Sequence, residues 1–580
     1  MNTTTKKTAT KDFDREFRAQ MAQMTSGLAP TAFTTAWADW AVHLAQSPAR
    51  LQQLQQEATQ RAQDTWAFAM RAMGGEKVAP SEGFDGQADR RFEGVDWTQF
   101  PFNVYARAYQ NTAALMQETV ADVDGVTDYH ADLMGFAVRM LLDASSPANY
   151  LASNPEVLTL TQAEQGQNLL RGFQNLADDV QRTLDGAAPA GTENFEVGKD
   201  VAATPGKVVF RNRLIEVIQY TPATKDVHAE PVLIVPAWIM KYYILDLSAR
   251  NSLVRYLVEQ GHTVFMLSWK NPDEADREVG MDDYLNLGFK AALDAVGAIV
   301  PRQPVHAVGY CIGGTLLMIG AAALAREQDT RLGSITLFAA QTDFSEPGEL
   351  AYFINPAQLA MLEASMHRSG VLESKQMGGA FAMLRAQDLI WQPAVDTYLK
   401  GKRAGMIDLM AWNADGTRMP WRMHSEYLYR LYLDNELAAN RFPVDGKLVR
   451  LSDIRVPMFV VGTESDHVAP WKSVYKVDNL VRSDDFTFLL TNAGHNAGIV
   501  CGPVHPKRHY RMKTRRLADP HLAPEDWMES AERVQGAWWP AWQGWLAAHS
   551  GERVKPPAMG AAKKGYAVLE DAPGQYVRQR

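Results

Sequence analysis

Short runs of branched apolar residues recur through the second part of the chain, with helix-like sequence between them. An antiparallel pair is predicted first, from residues 208–210 and 214–220. Runs of four or five residues follow at 231–235, 263–267, 306–309, 334–338, 457–461 and 486–490. Such alternation predicts a mostly parallel central sheet flanked by helices on both faces, which is an α/β fold.

The sequence before this region follows a helical period. Apolar residues recur at three- and four-residue spacing on one predicted helix: Leu51, Leu54, Ala58, Ala62, Trp66 and Met70. Residues 111–144 and 162–184 continue in the same manner, and we expect helices that cover the second domain. The alternative is a surface that docks an apolar phase or a partner helix.

Two stretches rich in glycine and proline interrupt the pattern, at residues 74–86 and 186–206. We place the domain boundary in the second, which predicts an N-terminal helical domain of residues 1–200 and a catalytic domain of residues 201–580. More than a hundred residues, dense in Met, Trp, Tyr and Leu, separate Phe338 from Pro457. They predict a helical cap insertion, about 341–445, over the carboxyl edge of the sheet, where ligands bind in such folds.

Composition and charge limit the classes of function and partner that the chain can have. The chain has 580 residues, a net charge of −9 and two cysteines. The acidic balance argues against nucleic acid as a partner, and two cysteines exclude a disulfide framework and favour the cytoplasm. The first residues lack the apolar core of a signal peptide, and no apolar run is long enough to be a transmembrane segment.

One cysteine lies in a distinctive setting. Gly309-Tyr-Cys311-Ile-Gly313-Gly314 follows a predicted strand and precedes an apolar helix. This is the nucleophile-elbow pattern of the α/β-hydrolase fold with Cys in place of Ser. The flanking glycines allow close backbone approach, and Ile312 N–H at the helix start is the candidate oxyanion donor. The alternative is a buried structural cysteine beside turn glycines.

A cysteine nucleophile needs an acid and a base, which follow it in that order in this fold. Asp466 comes after a late predicted strand, with Glu464 as competitor on the same loop. His495 follows the next strand on a glycine-flanked loop, and His467 is its rival. We therefore predict Cys311, Asp466 and His495 as the catalytic residues.

The second oxyanion donor should come from the loop after an early strand, so Ala237 or Trp238 N–H is the candidate; Pro236 has no amide hydrogen. We expect Cys501 to be a packing residue. His505 and His509 have helical spacing but no accompanying carboxylate, so we predict no metal and no cofactor. The basic run at 507–516 predicts a solvated face, with phosphate binding as the alternative.

Several longer motifs resemble one family, the polyhydroxyalkanoate synthases of the single-subunit class I type. The matching segments span most of the chain: 146–155, 241–247, 268–272, 309–314, 412–418 with 423–425, 466–471 and 494–498. Residues 423–437 favour class I over the medium-chain class II enzymes. The residues at 236–238 depart from the commonest version, and Cys501 stands where relatives are expected to lack cysteine.

The resemblance implies an acyltransferase that polymerises (R)-3-hydroxyacyl-CoA, with 3-hydroxybutyryl-CoA as the expected substrate, and releases CoA through Cys-bound acyl intermediates. It also implies a cytoplasmic homodimer on the polyester granule surface, in contact with the growing chain and with granule-associated proteins. Two alternatives are a Cys-dependent thioesterase or dienelactone-hydrolase-like hydrolase, and a non-enzymatic granule- or membrane-binding protein.

Overall fold

The computed structural model describes residues 14–22, 29–86 and 88–580. Within them the chain forms two compact units. One comprises Gly191–Met377 and Met406–Arg580 together with residues 14–22; the other comprises the described part of residues 24–190 together with Gly378–Gly405. Part of the expected insertion therefore packs with the N-terminal helices.

The N-terminal unit is helical. Its helices are α1 (Pro30–Ala45), α2 (Pro48–Met73), α3 (Phe102–Val120), α4 (Asp128–Ser145), α5 (Pro155–Ala163) and α6 (Gln167–Leu184). Proline begins α1, α2 and α5, where its missing N–H costs no helical hydrogen bond. The Asn154 side chain caps α5 by accepting from Val157 N–H.

Helix α2 confirms the predicted helix, but the apolar stripe of the sequence is not the buried face of this helix. Of that stripe only Leu54 is buried, and Trp66 and Met70 are 68% and 51% exposed. The buried face instead carries Leu54, Arg61, Phe68 and Ala72. Arg61 can face inward because its guanidinium donates to Glu118 Oε1 at 2.8 Å.

The segment Gly378–Gly405 packs along α6. Its residues include Gln387–Trp391 and Val395–Leu399, both π-helical. A Cβ on Gly172 of α6 would lie 1.9 Å from the Tyr398 carbonyl oxygen, so only glycine permits this approach. The Asn168 side chain donates to Leu399 O at 2.9 Å, which ties the helix to the segment.

The catalytic unit is built on an 11-stranded sheet within the described residues. In chain order its strands are β1 (Gly206–Arg211), β2 (Ile215–Tyr220), β3 (Val232–Val235), β4 (Val264–Trp269), β5 (Val305–Tyr310), β6 (Leu332–Phe338), β7 (Met458–Thr463), β8 (Phe486–Thr491), β9 (His509–Arg515), β10 (Glu532–Gln535) and β11 (Glu570–Asp571). Their order across the sheet is β10-β9-β8-β7-β6-β5-β3-β4-β2-β1-β11.

Six adjacent strands, β4, β3 and β5 to β8, run parallel. Antiparallel strands border them on both sides, and the predicted opening pair is confirmed as β1 and β2. Residues on β3 alternate between two cores: Leu233 and Val235 pack on one face, Val232 and Ile234 on the other. Burial on both faces explains why the parallel strands are uninterrupted apolar runs.

Helices of the catalytic unit include α7 (Leu253–Glu259), α8 (Ala291–Ile299), α9 (Ile312–Arg326), α10 (Pro356–Ser369), α11 (Ser374–Leu384, which continues into the other unit), α12 (Asp408–Ala414), α13 (Trp421–Tyr427), α14 (Trp471–Tyr475), α15 (Val477–Leu480), α16 (Pro524–Ser530) and α17 (Trp539–Ala548). Helix α9 starts directly after Cys311 and is buried through most of its length.

Candidate active site

Cys311 occupies the sharp turn between β5 and α9. Its backbone has φ 52° and ψ −130°, a conformation that a residue with a side chain rarely adopts. The turn is held because Cys311 N–H donates to Phe338 O of the neighbouring strand at 2.9 Å. Such local strain is typical of functional turns, and here it raises the thiol above the carboxyl edge of the sheet.

Three glycines make this turn possible. A Cβ on Gly309 would lie 2.3 Å from Gly314 Cα, and one on Gly314 would lie 2.5 Å from Ala340 Cβ. A Cβ on Gly313 would lie 2.5 Å from Pro236 O. The helix start and the loop after β3 can therefore approach each other closely only with glycine at these positions.

The structure brings His495 and Asp466 together. Asp466 follows β7 and His495 follows β8, so adjacent parallel strands deliver them to the same edge of the sheet. His495 Nδ1 lies 2.8 Å from Asp466 Oδ2. With the Nδ1 proton donated to the carboxylate, His495 Nε2 is left to interact with the Cys311 thiol.

The Asp466 carboxylate is fully engaged. Thr463 Oγ1 donates to Oδ2 at 2.8 Å, and the amides of Val468 and Ala469 donate to Oδ1 at 2.9 and 2.8 Å. Together with His495 these donors use the acceptor positions of both oxygens. The carboxylate is thereby fixed in orientation beneath the imidazole.

Charge and burial act in opposite directions on this pair. Burial alone would lower the pKa of His495, but the negative charges of Asp466 and of a Cys311 thiolate outweigh it and raise that pKa well above its usual value. Burial alone would raise the pKa of Asp466, but His495 and the donors around the carboxylate hold it below the usual range.

The two competitors lie elsewhere on the same loop. Glu464 is paired with His509, whose Nε2 lies 3.4 Å from Oε1 of the carboxylate. The His467 backbone carbonyl accepts from Glu349 N–H at 3.2 Å. The interaction between Asp466 and His495 thus distinguishes these two residues from their neighbours.

An aromatic wall adjoins Cys311, formed by Trp238, Phe344, Tyr427 and Tyr432 in the same hydrophobic cluster. The Tyr427 and Tyr432 rings are 5.5 Å apart between centroids, and Phe344 lies 4.8 Å from Tyr432. Burial, with a Cys311 thiolate nearby, raises the pKa of both tyrosines, so their hydroxyls stay protonated.

Sequence reasoning missed these tyrosines and a second contact. The Tyr310 ring stacks on His495 with centroids 5.7 Å apart, and its hydroxyl donates to Asn496 Oδ1 at 2.5 Å. Both residues stand directly beside predicted catalytic residues, which was the only available signal. Their role became visible only with the spatial arrangement.

The candidate oxyanion donors lie on two adjoining segments. Ile312 is the first residue of α9, where backbone N–H groups have no partner within the helix. Ala237 and Trp238 follow β3 and are both buried. The close contact of Gly313 with Pro236 places these two segments side by side.

Comparison with known proteins identifies the family. A model described as Poly-beta-hydroxybutyrate polymerase (PhaC) N-terminus matches residues 88–257, one described as Poly-beta-hydroxybutyrate polymerase N terminal matches residues 8–50, and one described as alpha/beta hydrolase fold matches residues 230–500. The Poly(3-hydroxyalkanoate) polymerase subunit PhaC of Rhizobium etli is 39% identical over 88% of this chain and 79% of its own. The chain belongs to the poly(3-hydroxyalkanoate) polymerase family.

A second family member, the Poly(3-hydroxyalkanoate) polymerase subunit PhaC of Cupriavidus necator, is 36% identical over 85% of this chain and 83% of its own. Among solved structures, a soluble variant of monoglyceride lipase from Saccharomyces cerevisiae aligns with 60% of this chain and 96% of its own, at 11% identity and a TM-score of 0.34. The predicted family, an enzyme family of acyltransferase type, and the α/β-hydrolase fold with an N-terminal helical region are confirmed.

The remaining predicted features of this polymerase-family chain lie outside the cluster around Cys311. Cys501 is buried, and burial raises the pKa of its thiol to about 11. The helical spacing assigned to His505 and His509 is wrong, because His509 begins strand β9. No group of three or more metal-ligating side chains with suitable geometry occurs among the residues that the structure describes.

The basic run at 507–516 is largely engaged in internal contacts. Arg515 pairs with buried Asp478 at 2.6 Å and Arg516 with Asp485 at 3.0 Å, while Lys513 donates to Ser530. These contacts tie β9 to its surroundings. None of the helices in the described parts of the chain combines the length and hydrophobicity that crossing a membrane would require.

Proposed function

We propose that this chain polymerises (R)-3-hydroxyacyl-CoA into polyhydroxyalkanoate and releases CoA, with Cys311 holding the acyl chain. The observation that carries the proposal is the position of Cys311 at a strained turn, beside an imidazole that is itself bound to Asp466. Family membership supports the polymerisation of hydroxyalkanoates, because the relatives are poly(3-hydroxyalkanoate) polymerases.

In the acylation step, His495 Nε2 takes the Cys311 proton and the sulfur attacks the thioester carbonyl. The new C–S bond forms, the oxyanion rests on backbone N–H groups, and the C–S bond to CoA then breaks. The departing CoA sulfur receives the proton from His495. One thioester replaces another, so the step is nearly isoenergetic and the acyl group stays ready for onward transfer.

Elongation requires a base for the 3-hydroxyl of the incoming unit, and we assign it to His495. The Asp466 carboxylate already accepts from four donors and its pKa is held low, so it is a poor proton acceptor. The hydroxyl oxygen attacks the acyl–Cys311 carbonyl, an ester bond forms, and the thiolate leaves. Asp466 orients the imidazole throughout.

The acyl–Cys311 intermediate must be protected from water, or it hydrolyses. The aromatic wall supports this requirement, since Trp238 and Phe344 are buried and Tyr427 and Tyr432 are partly buried against them. We propose that the insertion, about 341–445, caps the site and that the N-terminal region, about 1–200, carries a separate role in association. A thioesterase needs neither a large cap nor an additional helical domain.

The central experiment incubates pure protein with 3-hydroxybutyryl-CoA and with C6 and C10 analogues, following free thiol and turbidity. We expect CoA release with growing turbidity, fastest with the C4 substrate, and none from Cys311→Ala, which should fold normally. CoA release that yields only monomeric hydroxy acid would instead identify a hydrolase. Full polymer formation in cells that carry only Cys311→Ala would instead favour a non-enzymatic scaffold role.

We further propose that the chain is a cytoplasmic homodimer that stays on the polyester granule, where it also meets granule-associated proteins. Helix α6 supports an apolar contact, because it exposes one face of large hydrophobic residues: Leu170 (52%), Phe173 (68%), Val180 (50%) and Leu184 (77%). Light scattering before and after substrate addition tests the dimer. Co-sedimentation with washed granules tests the attachment.

Serine at those four α6 positions should reduce co-sedimentation while CoA release in solution remains. Serine at four exposed apolar residues scattered elsewhere is the matched control: Val95, Leu448, Val504 and Leu517. Equal loss in both variants would contradict a role for α6.

A further inference from the structure

The loop that follows β3 is held by a segment from the expected insertion. Thr417 Oγ1 donates to Trp238 O at 2.6 Å, and Thr417 N–H donates to Ile239 O at 3.5 Å. Trp412 Nε1 donates to Lys241 O at 2.7 Å. Residues 412–417 thus satisfy three carbonyls of the loop, those of residues 238, 239 and 241.

The start of the same loop is held from the other side. Trp269 Nε1, at the end of β4, donates to Pro236 O at 2.9 Å. Gly313 lies against the same carbonyl, since a Cβ there would come within 2.5 Å of the oxygen. The peptide that joins Pro236 to Ala237 is therefore fixed between an indole and the start of the nucleophile helix.

The two candidate donors belong to successive peptides of this loop. The only cis peptides among the described residues precede Pro101 and Pro573, so the bond between Pro236 and Ala237 is trans. A trans peptide directs its C=O and N–H to opposite sides. Because Trp269 Nε1 donates to the Pro236 carbonyl, the Ala237 N–H at the other side of that peptide is directed away from the indole.

The next peptide carries the Trp238 N–H, and both of its neighbours are anchored. Trp269 fixes the peptide before it through Pro236 O, and Thr417 fixes the peptide after it through Trp238 O. With planar peptides, two fixed neighbours leave the intervening plane little freedom to rotate. Preorganised donors of this kind stabilise an oxyanion without reorganising during the reaction.

We propose that Thr417 is a positioning residue, which holds in place the Trp238 N–H, the candidate oxyanion donor whose peptide is anchored on both sides. This inference rests on the proposed function, because an oxyanion forms only if Cys311 attacks a carbonyl. Thr417 and Trp238 are 3% and 1% exposed, so no solvent replaces the hydroxyl if it is lost. The Trp238 carbonyl would then be buried without its partner and the loop would relax.

Thr417→Val removes the hydroxyl at nearly constant volume, and Thr417→Ser restores it. We expect Val to lower kcat for CoA release about 10-fold or more, less than the roughly 10²-fold or greater loss of a whole donor. KM should change less than about 2-fold, and Ser should recover most of kcat. The matched control is Thr487→Val, a buried threonine whose hydroxyl pairs with Thr514 at 2.8 Å.

Alkylation of Cys311 by iodoacetamide supplies the decisive second readout, because displacement at that carbon forms no oxyanion. We expect its rate to be equal in wild type and Thr417→Val while CoA release falls. A parallel fall in both rates, or unchanged CoA release in Thr417→Val, overturns the inference. Absence of CoA release from the wild type would instead refute the proposed function, so the two failures are distinguishable.

Discussion

Gly313 and Pro236 are in such close contact that a single methyl group on the glycine would lie 2.5 Å from the proline carbonyl oxygen. This contact joins the segment bearing the nucleophile to the segment bearing the second candidate oxyanion donor. The effect of a substitution at Gly313 on activity therefore measures how strongly the site depends on the distance between these two segments.

Gly313→Ala should lower CoA release at least about 10²-fold, because a displacement of about 1 Å at a reacting centre has that effect. Gly297→Ala is the control: it lies in α8 with no atom within 4 Å of the added Cβ. That change should leave activity intact and stabilise the fold by about 0.5–1 kcal/mol. Comparable activities in the two variants would show that the contact is dispensable.

Replacement of the orienting carboxylate should change the titration of the imidazole. In Asp466→Asn the negative charge that raises the pKa of His495 is removed, so that pKa should fall. CoA release should fall by roughly 10⁴-fold, as in Ser-His-Asp sites. Histidine NMR across pH measures the shift, and Glu464→Gln, on the same loop, should leave it unchanged.

Two buried histidines, His228 and His262, predict acid sensitivity. His262 stacks on His228 with ring centroids 4.6 Å apart, and burial, followed by the charge of His228, lowers its pKa to about 3. The unfolded chain has an ordinary pKa near 6.5, so it binds the proton more readily, and stability is lost as pH falls below about 6.5.

At pH 5 this loss amounts to about 2 kcal/mol for His262. His262→Phe should therefore show a smaller drop in urea midpoint between pH 7.5 and pH 5 than the wild type. A residual drop should remain, since burial lowers the pKa of His306 to about 4. The exposed His367→Phe serves as control and should behave like the wild type.

The two cysteines should differ sharply in reactivity. With a pKa of about 11, Cys501 carries only about 10⁻³ of its population as thiolate at pH 8. Mass spectrometry after brief iodoacetamide treatment should find one adduct, on Cys311. Cys501→Ala should keep CoA release within about 2-fold of wild type, and fast labelling of Cys501 would contradict its assignment as a packing residue.

The sequence predicted the parallel strands well because burial on both faces makes them continuous apolar runs, as in β3 and β7. It did not predict β9, whose residues are mostly polar or basic and whose partner strands lie elsewhere in the chain. The buried face of α2 was misjudged because Arg61, a charged residue, faces inward through its ion pair with Glu118.

At the site, chain order sufficed to select Asp466 and His495, since successive strands of one sheet must deliver them to one edge. It could not reveal Thr417 or Tyr432, which come from an insertion without a strand register. Nor could it show that the peptide bearing Trp238 N–H is anchored on both sides, because the bonds from Trp269 and Thr417 come from other parts of the chain. Such details are fixed by contacts between distant segments.

The chain enters the N-terminal unit twice, once before Gly191 and again at Gly378–Gly405. A protease cut near residue 190 would therefore not release that unit, because the second entry remains covalently joined at both ends. An expression fragment that begins at residue 191 would carry Tyr398 and Leu399 without Gly172 and Asn168, their partners on α6. No single cut in the sequence therefore separates the catalytic unit. A separable catalytic fragment requires excision of residues 378–405 and a new, shorter connection across the gap.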